Sequence, residues 1–467
     1  MIINSRPLIQ RRLPAFIATA TVVIAATYAV SWFSSGPGAV APPVVPREER
    51  VDELPPAAPP AGSTDRLLER YDRAIRAWSA GLEANAANYL AASNLGTVYA
   101  GRARLTGDLG DYQRALEAAD RALAVSPGYV PARELRATIL FALHEFVAAR
   151  SEARAIWLTE PGALQALAII GDSSLELGDL QGARSAYQTL GERAPSAPVW
   201  SRLAHLAFIE GDAERAVDLV RSAVAATAGE PASEAAAFFA FQLGELHRAA
   251  GRIEDASAAF AQALAILPKH VPATAGLARI REAQGRRTEA IELLVAATAR
   301  LPQPELVAML GDLYALAGDA AAAEREYALV ERIAAVADAI GSVYDRQLIL
   351  FAADHNRDVA TAVARAQAAL AWRQDIYAYD ALAWALYHAG RLDEAAAAAA
   401  QALALGTPDP RLAYHAGMIA AARGETDEAR RLLTQALAGA SYLPPLQVPI
   451  AERALADLGG GMDEAPQ

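Results

Sequence analysis

Residues 243–268, LGELHRAAGRIEDASAAFAQALAILP, decide the fold of this chain. Apolar and small residues recur at helical spacing on both sides of Gly251, which predicts two short amphipathic helices joined by a tight turn. Gly251 can adopt the positive φ that stops a helix, and Pro268 cannot continue the second helix. Small residues such as Gly244 and Ala256 are expected where the two helices touch, because a larger side chain would push the helices apart.

The same pattern recurs along most of the chain. Pro127, Pro161 and Pro195 are spaced by 34 residues, the period of one helical-hairpin repeat type. With the offsets of 243–268, this pattern resembles the tetratricopeptide repeat family over nearly all of residues 65–440, in about ten units. The resemblance implies an all-α, right-handed superhelical solenoid whose first helices line a concave surface that holds peptides or partner helices. The segment DALAWALYHAGRLDEA (380–395) is similar to bacterial members of unassigned function.

Two places interrupt the rhythm. The joint at 101–111 is longer than usual, which predicts either an extended first helix or a larger loop. At 331–357 a second helix is expected to run long, to about residue 340, before a new helix begins near Tyr344. The predicted organisation is a cytoplasmic segment at 1–12, a transmembrane helix at 13–33, a proline-rich tether at 34–62, the solenoid at 63–445, a capping helix at 446–458 and a disordered tail at 459–467.

The membrane prediction depends on residues 13–33, which carry no charged side chain and have the length that spans a bilayer as a helix. Basic residues without acids precede them and an acidic flank follows, so the positive-inside rule places the solenoid on the extracytoplasmic side of a bacterial inner membrane. A cleaved signal peptide is the alternative. Ala39-Val40-Ala41 resembles a cleavage motif, but Pro42 follows it directly, and the hydrophobic length favours a retained anchor.

Composition and motifs argue against several functions. The net charge of −12 is unfavourable for binding nucleic acid, and the absence of cysteine excludes disulfides and thiolate metal sites. The seven histidines form no HExxH or paired metal spacing, and the sequence has no phosphate-binding loop or nucleophile elbow. We therefore predict no catalytic residue, no metal and no cofactor.

The strongest candidate binding residues lie at inward-facing positions of the last two units. They combine aromatic rings with an imidazole and a flexible thioether: Tyr377, Trp384, Tyr387, His388, Tyr414 and Met418. Aromatic side chains often supply much of the binding energy at interfaces, so we predict a groove for an apolar or aromatic-bearing peptide. The alternative is that the capping helix at 446–458 folds over these rings and buries them as core.

A weaker set of candidates lies elsewhere on the predicted concave surface. Phe208 and Phe241 occupy inward positions of the middle units, and Asn94 stands where family members often hydrogen-bond the backbone of a ligand. Glu245 and Arg248 are predicted to be an ordinary i, i+3 pair on a solvated face.

These observations together predict a non-enzymatic, membrane-anchored, extracytoplasmic scaffold that binds protein or peptide partners, and oligomers of the chain are compatible with this prediction. The alternative is an accessory subunit of an envelope enzyme or of an export or assembly complex, handling cell wall or polysaccharide. An enzyme in its own right and a purely self-assembling structural protein are the remaining hypotheses.

Overall fold

The computed structural model describes residues 64–229, 233–339 and 346–460. Within these ranges the chain consists of α-helices and one short 3-10 turn, Ala440–Tyr442, and contains no β-strand. The predicted cytoplasmic segment, transmembrane helix and tether (1–12, 13–33 and 34–62) lie outside the described residues. None of the described helices combines the length and the apolar character that crossing a membrane requires.

The helices are numbered in chain order. They are α1 Thr64–Ala84, α2 Tyr89–Thr106, α3 Leu109–Val125, α4 Val130–Ala142, α5 Phe146–Thr159, α6 Leu164–Glu176, α7 Leu180–Arg193, α8 Ala197–Ile209, α9 Ala213–Ala226, α10 Glu234–Ala249, α11 Ile253–Ile266, α12 Val271–Ala283, α13 Arg287–Arg300, α14 Pro304–Leu316, α15 Ala320–Ala339, α16 Arg346–Asp354, α17 Val359–Ala369, α18 Ile376–His388, α19 Leu392–Ala402, α20 Pro410–Ala422, α21 Thr426–Ala438 and α22 Gln447–Gly460.

Consecutive helices from α2 to α21 pack as pairs, and each pair also packs on the next. This arrangement confirms the predicted all-α solenoid of helical hairpins. Helix α1 packs on α2 at one end, and α22 packs on α20 and α21 at the other. Since each hairpin can bury its apolar face only against neighbours, these two single helices cover the faces that the terminal pairs would otherwise expose.

The packing inside the array explains why small residues stand at fixed positions. The ring of Phe260 in α11 is fully buried between the first helix of its own pair and that of the next pair. A β-carbon added at Gly244 would lie 2.5 Å from that ring, and one at Gly276 would lie 2.6 Å from it. Gly251 ends the turn after α10 with φ of +70°, as predicted for the residue that stops the first helix.

The irregular places of the sequence have clear structural counterparts. The long joint at 101–111 is an extended first helix, because α2 continues to Thr106. Helix α15 runs through Ala339, which agrees with the long second helix predicted there. The capping helix α22 was expected at 446–458 and begins and ends within two residues of those limits.

The two helices of a pair differ in exposure. The second helices carry an exposed outer face, as α3 does with Arg114, Glu117 and Arg121. The first helices behave differently, because no residue of α6, α8, α10 or α18 is exposed. A helix that is covered on every side belongs to the interior of a protein. The inner surface of the middle of this solenoid is therefore filled, and it does not form an open groove.

Candidate functional site

The inner surface is filled because the C-terminal repeats pack against the middle repeats, about two hundred residues earlier in the chain. We call this contact the seam. One side of it consists of the turns within three middle helix pairs, at 177–179, 209–212 and 249–252, and the other side consists of the loops at 371–376, 404–409 and 438–442.

The backbones approach closely at each of the three places. A β-carbon at Gly178 would lie 2.6 Å from the carbonyl oxygen of Gln374, and one at Gly211 would lie 3.1 Å from that of Gly406. A β-carbon at Gly439 would lie 2.7 Å from the carbonyl oxygen of Ala249. The glycines of the seam therefore allow two stretches of main chain to touch where any side chain would separate them.

Polar side chains tie the two sides together. Nη2 of Arg373 lies 2.9 Å from Oε2 of Glu176, and the hydroxyl of Thr407 donates a hydrogen bond to the carbonyl oxygen of Ile209. Nη1 of Arg248 donates to the carbonyl oxygen of Ser441 at 2.7 Å. The seam thus combines backbone contact with charge-assisted hydrogen bonds, which are the stronger class of hydrogen bond.

The pair Glu245–Arg248 corrects one expectation. The two residues do form the predicted i, i+3 ion pair, with Nε of Arg248 donating to Oε1 of Glu245 at 3.1 Å. The pair is buried, however, and the Arg248 guanidinium lies 4.2 Å from the ring centroid of Tyr442. The prediction that this pair lies on a solvated face was wrong, because the C-terminal repeats cover the pair.

Further ion pairs occupy the interior. Arg202 and Asp172 are both buried, with Nε and Nη2 of the guanidinium donating to the two carboxylate oxygens at 2.8 and 3.0 Å. The hydroxyl of Tyr187 donates to the same carboxylate at 2.8 Å. Burial of a charge is costly unless it is paired, and this bidentate arrangement supplies the partner.

Glu305 of α14 joins three parts of the chain. Its Oε1 lies 2.7 Å from Nη2 of Arg279 and 3.6 Å from Nη2 of Arg411 in α20. Burial acts to raise the pKa of this carboxyl, but the two guanidiniums outweigh burial and hold the pKa at about 2. The carboxylate is therefore charged at all physiological pH values, and it links the middle repeats to the C-terminal repeats.

The C-terminal aromatic residues lie mostly within the core. Trp384 is 3% exposed and Tyr414 is 1% exposed. The indole stacks on the rings of Tyr387 and His415, with centroids 4.9 and 4.1 Å apart, and its Nε1 donates to Oδ1 of Asp354 at 2.7 Å.

Helix α22 covers this cluster. Nε2 of Gln447 donates to the same oxygen of Asp354 at 2.8 Å, and Val448 and Leu455 pack against the cluster. Trp384 and Tyr414 are therefore placed as in the alternative in which the capping helix buries the rings. Tyr387, His388 and Met418 are half-buried at the edge of the same cluster.

The other predicted candidates do not come together with this cluster. Phe208 is 7% exposed and packs with Val220, whereas Phe241 is 6% exposed and packs against Phe260. Asn94 is half-buried, and its side-chain nitrogen donates to the carbonyl oxygen of Leu90 within its own helix at 2.8 Å.

Tyr377 has a different environment, because it lines a cavity at the seam. The cavity has a volume of about 190 Å³ and lies between the α6–α7 turn, α8 and the start of α18. The Arg346 guanidinium lies 4.6 Å from the centroid of the Tyr377 ring, a distance typical of a cation–π contact. We call this space the seam cavity.

The lining of the seam cavity is mainly apolar and aromatic. Its residues come from both sides of the seam: Leu175, Leu180, Ile209, Ile376, Tyr377, Tyr379 and Leu405. Polar groups of His205, Glu176, Arg373, Asp375 and Gln401 also line it. Burial lowers the pKa of His205 to about 4, so its imidazole is neutral at neutral pH.

A second, smaller cavity of about 50 Å³ lies among polar residues that include Glu305, Asp312 and His415. Nδ1 of His415 lies 2.7 Å from Oδ1 of Asp380, and the opposite nitrogen, Nε2, is buried without a hydrogen-bond partner. Across the described ranges, no three acidic, histidine or cysteine side chains are arranged to hold a metal ion.

The sequence did not reveal the seam or its cavity. The repeat pattern relates each hairpin to its neighbours, whereas the seam joins turns and loops of hairpins that are far apart in the chain. One signal was present, since Tyr377 was selected as an inward aromatic residue, but nothing in the sequence paired it with His205.

Comparisons with known proteins agree with this architecture. Models described as tetratricopeptide repeat match residues 100–162, 195–269, 247–313 and 381–444, which together cover just over half of the chain. No protein of curated function matches the sequence.

Among solved structures, a tetratricopeptide repeat protein from Parabacteroides merdae is 17% identical with a TM-score of 0.39, over 51% of this chain and 93% of that one. Yeast Tom70 is 13% identical with a TM-score of 0.35, over 86% of this chain and 98% of that one. A chain of the APC/C hetero-tetramer Cut9–Hcn1 is 15% identical with a TM-score of 0.30, over 84% of this chain and 94% of that one. None of these likenesses bears on what this chain binds.

Proposed function

Because this chain is a tetratricopeptide repeat protein, we propose that it is a non-enzymatic scaffold for partner proteins, anchored by residues 13–33 on the extracytoplasmic side of the inner membrane. The observation that carries the scaffold role is the extent of the repeats. Helix pairs account for nearly all of the described residues from α2 to α21. Repeats of this family imply protein–protein interaction.

The location is supported by the sequence alone. Residues 13–33 are long and apolar enough to span a bilayer, and Arg6, Arg11 and Arg12 precede them. The proline-rich stretch at 34–62 would then hold the repeats away from the membrane surface, since proline-rich segments are extended and semi-rigid.

The filled interior changes where a partner is expected to bind. The predicted groove along the first helices is not accessible to a peptide, since α6, α8, α10 and α18 have no exposed residue. The seam cavity is accessible next to the exposed residues Gln401 and Ala404, and it contains Tyr377. We therefore place the partner site at the seam.

The location is tested with the full chain and with a variant that lacks residues 13–33. The full chain should stay in the membrane pellet after alkaline carbonate extraction, and its repeats should be digested by protease in spheroplasts but not in intact cells. The shortened variant should be extracted. A full chain that is released by carbonate, or that is protected in spheroplasts, would contradict the proposed location.

Partner binding is tested by photo-crosslinking in living cells. A photo-reactive amino acid is placed at Ala404 beside the seam cavity, and at Ala124 in the last turn of α3 as the matched control, since both alanines are exposed. Discrete adducts from position 404 that are absent from position 124 are expected. A chain that forms no adduct at either position, at native expression level, would argue against the scaffold role.

A further inference from the structure

The two most exposed large apolar side chains in the described part of the chain lie on one helix. They are Leu158 and Val147 of α5, with exposed fractions of 81% and 56%. Residues 147, 151, 154 and 158 follow one another at helical spacing, so they form a single stripe along the outside of the helix. The stripe is about 16 Å long, because each residue of a helix adds about 1.5 Å. Exposed apolar side chains that share one face mark a candidate interaction surface.

The residues between the two apolar ends of the stripe are small or basic. Ser151 and Ala155 are exposed, and their small side chains leave room for a partner helix to approach α5 closely. Arg154 is exposed at the same level of the helix. The outer face of the neighbouring second helix α7 has no large apolar residue and carries polar ones instead: Gln181, Arg184, Ser185 and Gln188. The outer face of α5 is therefore distinguished by apolar ends and a basic middle.

The charges beside the middle of the stripe are not balanced. Two guanidiniums share the carboxylate of Asp179, whose Oδ2 lies 3.3 Å from Nη1 of Arg150 and 3.8 Å from Nη2 of Arg154. Burial and repulsion by Arg154 lower the pKa of Arg150, and the attraction of Asp179 offsets these effects only in part. The positively charged form of Arg150 is thus disfavoured where it stands. A second anionic group next to this pair would be complementary to it.

The acidic residues of α5 itself do not occupy this place. Glu152 faces α4, where its carboxylate oxygens lie 2.8 Å from Nε of Arg133 and 3.4 Å from Nη1 of Arg136. Glu145 and Glu160 adjoin the two ends of the helix, beyond the limits of the stripe. These positions favour a partner with acidic side chains at the centre of its contact and apolar side chains at both ends.

We propose that the outer stripe of α5 binds an amphipathic helix of a partner protein, in which two apolar residues eleven positions apart flank a central acidic residue. The apolar residues pack on Val147 and Leu158, and the acidic residue lies against Arg154. Recognition of a helix by anchors at regular helical spacing is a common mode of protein binding. This inference rests on the proposed scaffold function and gives it a second surface, since none of these three residues lines the seam cavity.

The test is a fluorescence anisotropy titration of the full-length chain in nanodiscs with three labelled peptides, each held helical by a staple on its opposite face. The first peptide has two leucines eleven positions apart and two glutamates between them on the same face. The second peptide has the leucines and glutamates exchanged, and the third has glutamine in place of glutamate.

The first peptide should bind most tightly. The second has the same composition but brings leucines to the basic middle, so it should bind about tenfold more weakly. The third should bind roughly twofold to fivefold more weakly, the effect of a solvent-accessible ion pair. No binding of the first peptide, or equal binding of the first peptide and either of the others, would overturn the proposal.

Variants at exposed positions locate the bound peptide. Leu158→Ser should weaken binding of the first peptide about tenfold, whereas Leu90→Ser, at an exposed leucine of α2, should leave it unchanged. Arg154→Gln leaves Arg150 and Asp179 in balance, so the preference for glutamate over glutamine should fall to near one. Its control is Arg221→Gln, because that guanidinium also lies 3.8 Å from an aspartate, and it should keep the preference. Unchanged binding in Leu158→Ser, or an unchanged preference in Arg154→Gln, would exclude the stripe as the site.

A second copy of the chain is the competing occupant of the stripe. A dimer that Leu158→Ser converts into a monomer in analytical ultracentrifugation, together with no binding of the first peptide, would assign the stripe to that second copy and overturn the proposal.

These titrations use the purified chain, so their failure is distinct from failure of the scaffold role. Cellular adducts at position 404 without peptide binding would leave the scaffold role in place and remove the α5 surface. Binding of the first peptide without a cellular adduct from position 404, or from a photo-reactive residue at position 151, would support the α5 surface and contradict the scaffold role.

Discussion

Replacement of Gly178 by alanine tests whether the seam exists in solution. Gly178 has φ of +82°, and Gly318 in the α14–α15 turn has φ of +84°, so both glycines carry the same backbone demand. Each is followed by an aspartate whose side chain accepts a hydrogen bond from a backbone N–H of the next helix. Only their surroundings differ, because a β-carbon at Gly318 meets nothing within 4 Å.

The expected costs follow from this geometry. An alanine held at positive φ costs about 1–2 kcal/mol, and this should be the whole effect of Gly318→Ala. In Gly178→Ala the new methyl group would lie 2.6 Å from the carbonyl oxygen of Gln374 and 3.1 Å from the amide nitrogen of Asp375. Main-chain atoms cannot rotate away, so the seam must separate by several tenths of an ångström. Overpacking of this kind adds about 1–3 kcal/mol.

The assay is urea denaturation combined with amide hydrogen exchange. Gly178→Ala should lower the free energy of unfolding by about 1–3 kcal/mol more than Gly318→Ala does. It should also speed exchange at 371–376, which the control should leave unchanged, since local opening is what exchange detects. Equal losses of stability together with unchanged exchange at 371–376 would refute the seam.

Two further predictions concern the buried charges and the histidines. Arg202→Leu leaves Asp172 buried without its guanidinium and should lower the free energy of unfolding by about 3–5 kcal/mol. The control Arg286→Leu removes an exposed ion pair with Glu289 and should cost less than about 1 kcal/mol in the same urea titration. Similar costs for the two variants would contradict the burial of Asp172. Burial lowers the pKa values of His144, His205 and His270 to about 4, from 6.5 for an exposed imidazole, so the unfolded chain binds more protons between these values. The urea midpoint should therefore fall as the pH is lowered from 6.5 to 4, and a midpoint that stays constant or rises over that interval would contradict a net loss of stability from these buried imidazoles.

The local architecture could be predicted from the sequence because the residue types at fixed positions of each hairpin reflect the contacts within that hairpin. Gly244 and Phe260 mark the place where two helices touch, and Gly251 marks the turn between them. The extended α2 and the long α15 were visible as departures from the repeat period, since an insertion must lengthen a helix or a loop.

The seam could not be predicted in this way. Its contacts join residues such as Gly178 and Gln374, which belong to different hairpins far apart in the chain, and no periodic pattern relates them. The polar residues at inward positions, Glu245 and Arg248 among them, also resemble a solvated surface in sequence, because a buried ion pair and an exposed one use the same residue types. The seam also determines where the candidate site lies, since it covers the expected groove and forms the seam cavity beside Tyr377.

The most direct test of the closed solenoid is a distance measured across the seam. The chain contains no cysteine, so Gln181→Cys and Gln374→Cys introduce the only two sites for nitroxide labels, and both glutamines are exposed. Pulsed electron–electron double resonance should give one short, narrow distance distribution for the full chain, because Gly178, three residues before the first label, touches the backbone of Gln374. A long or broad distribution would mean that the C-terminal repeats do not rest on the middle repeats, and the closed interior and the seam cavity would both be wrong.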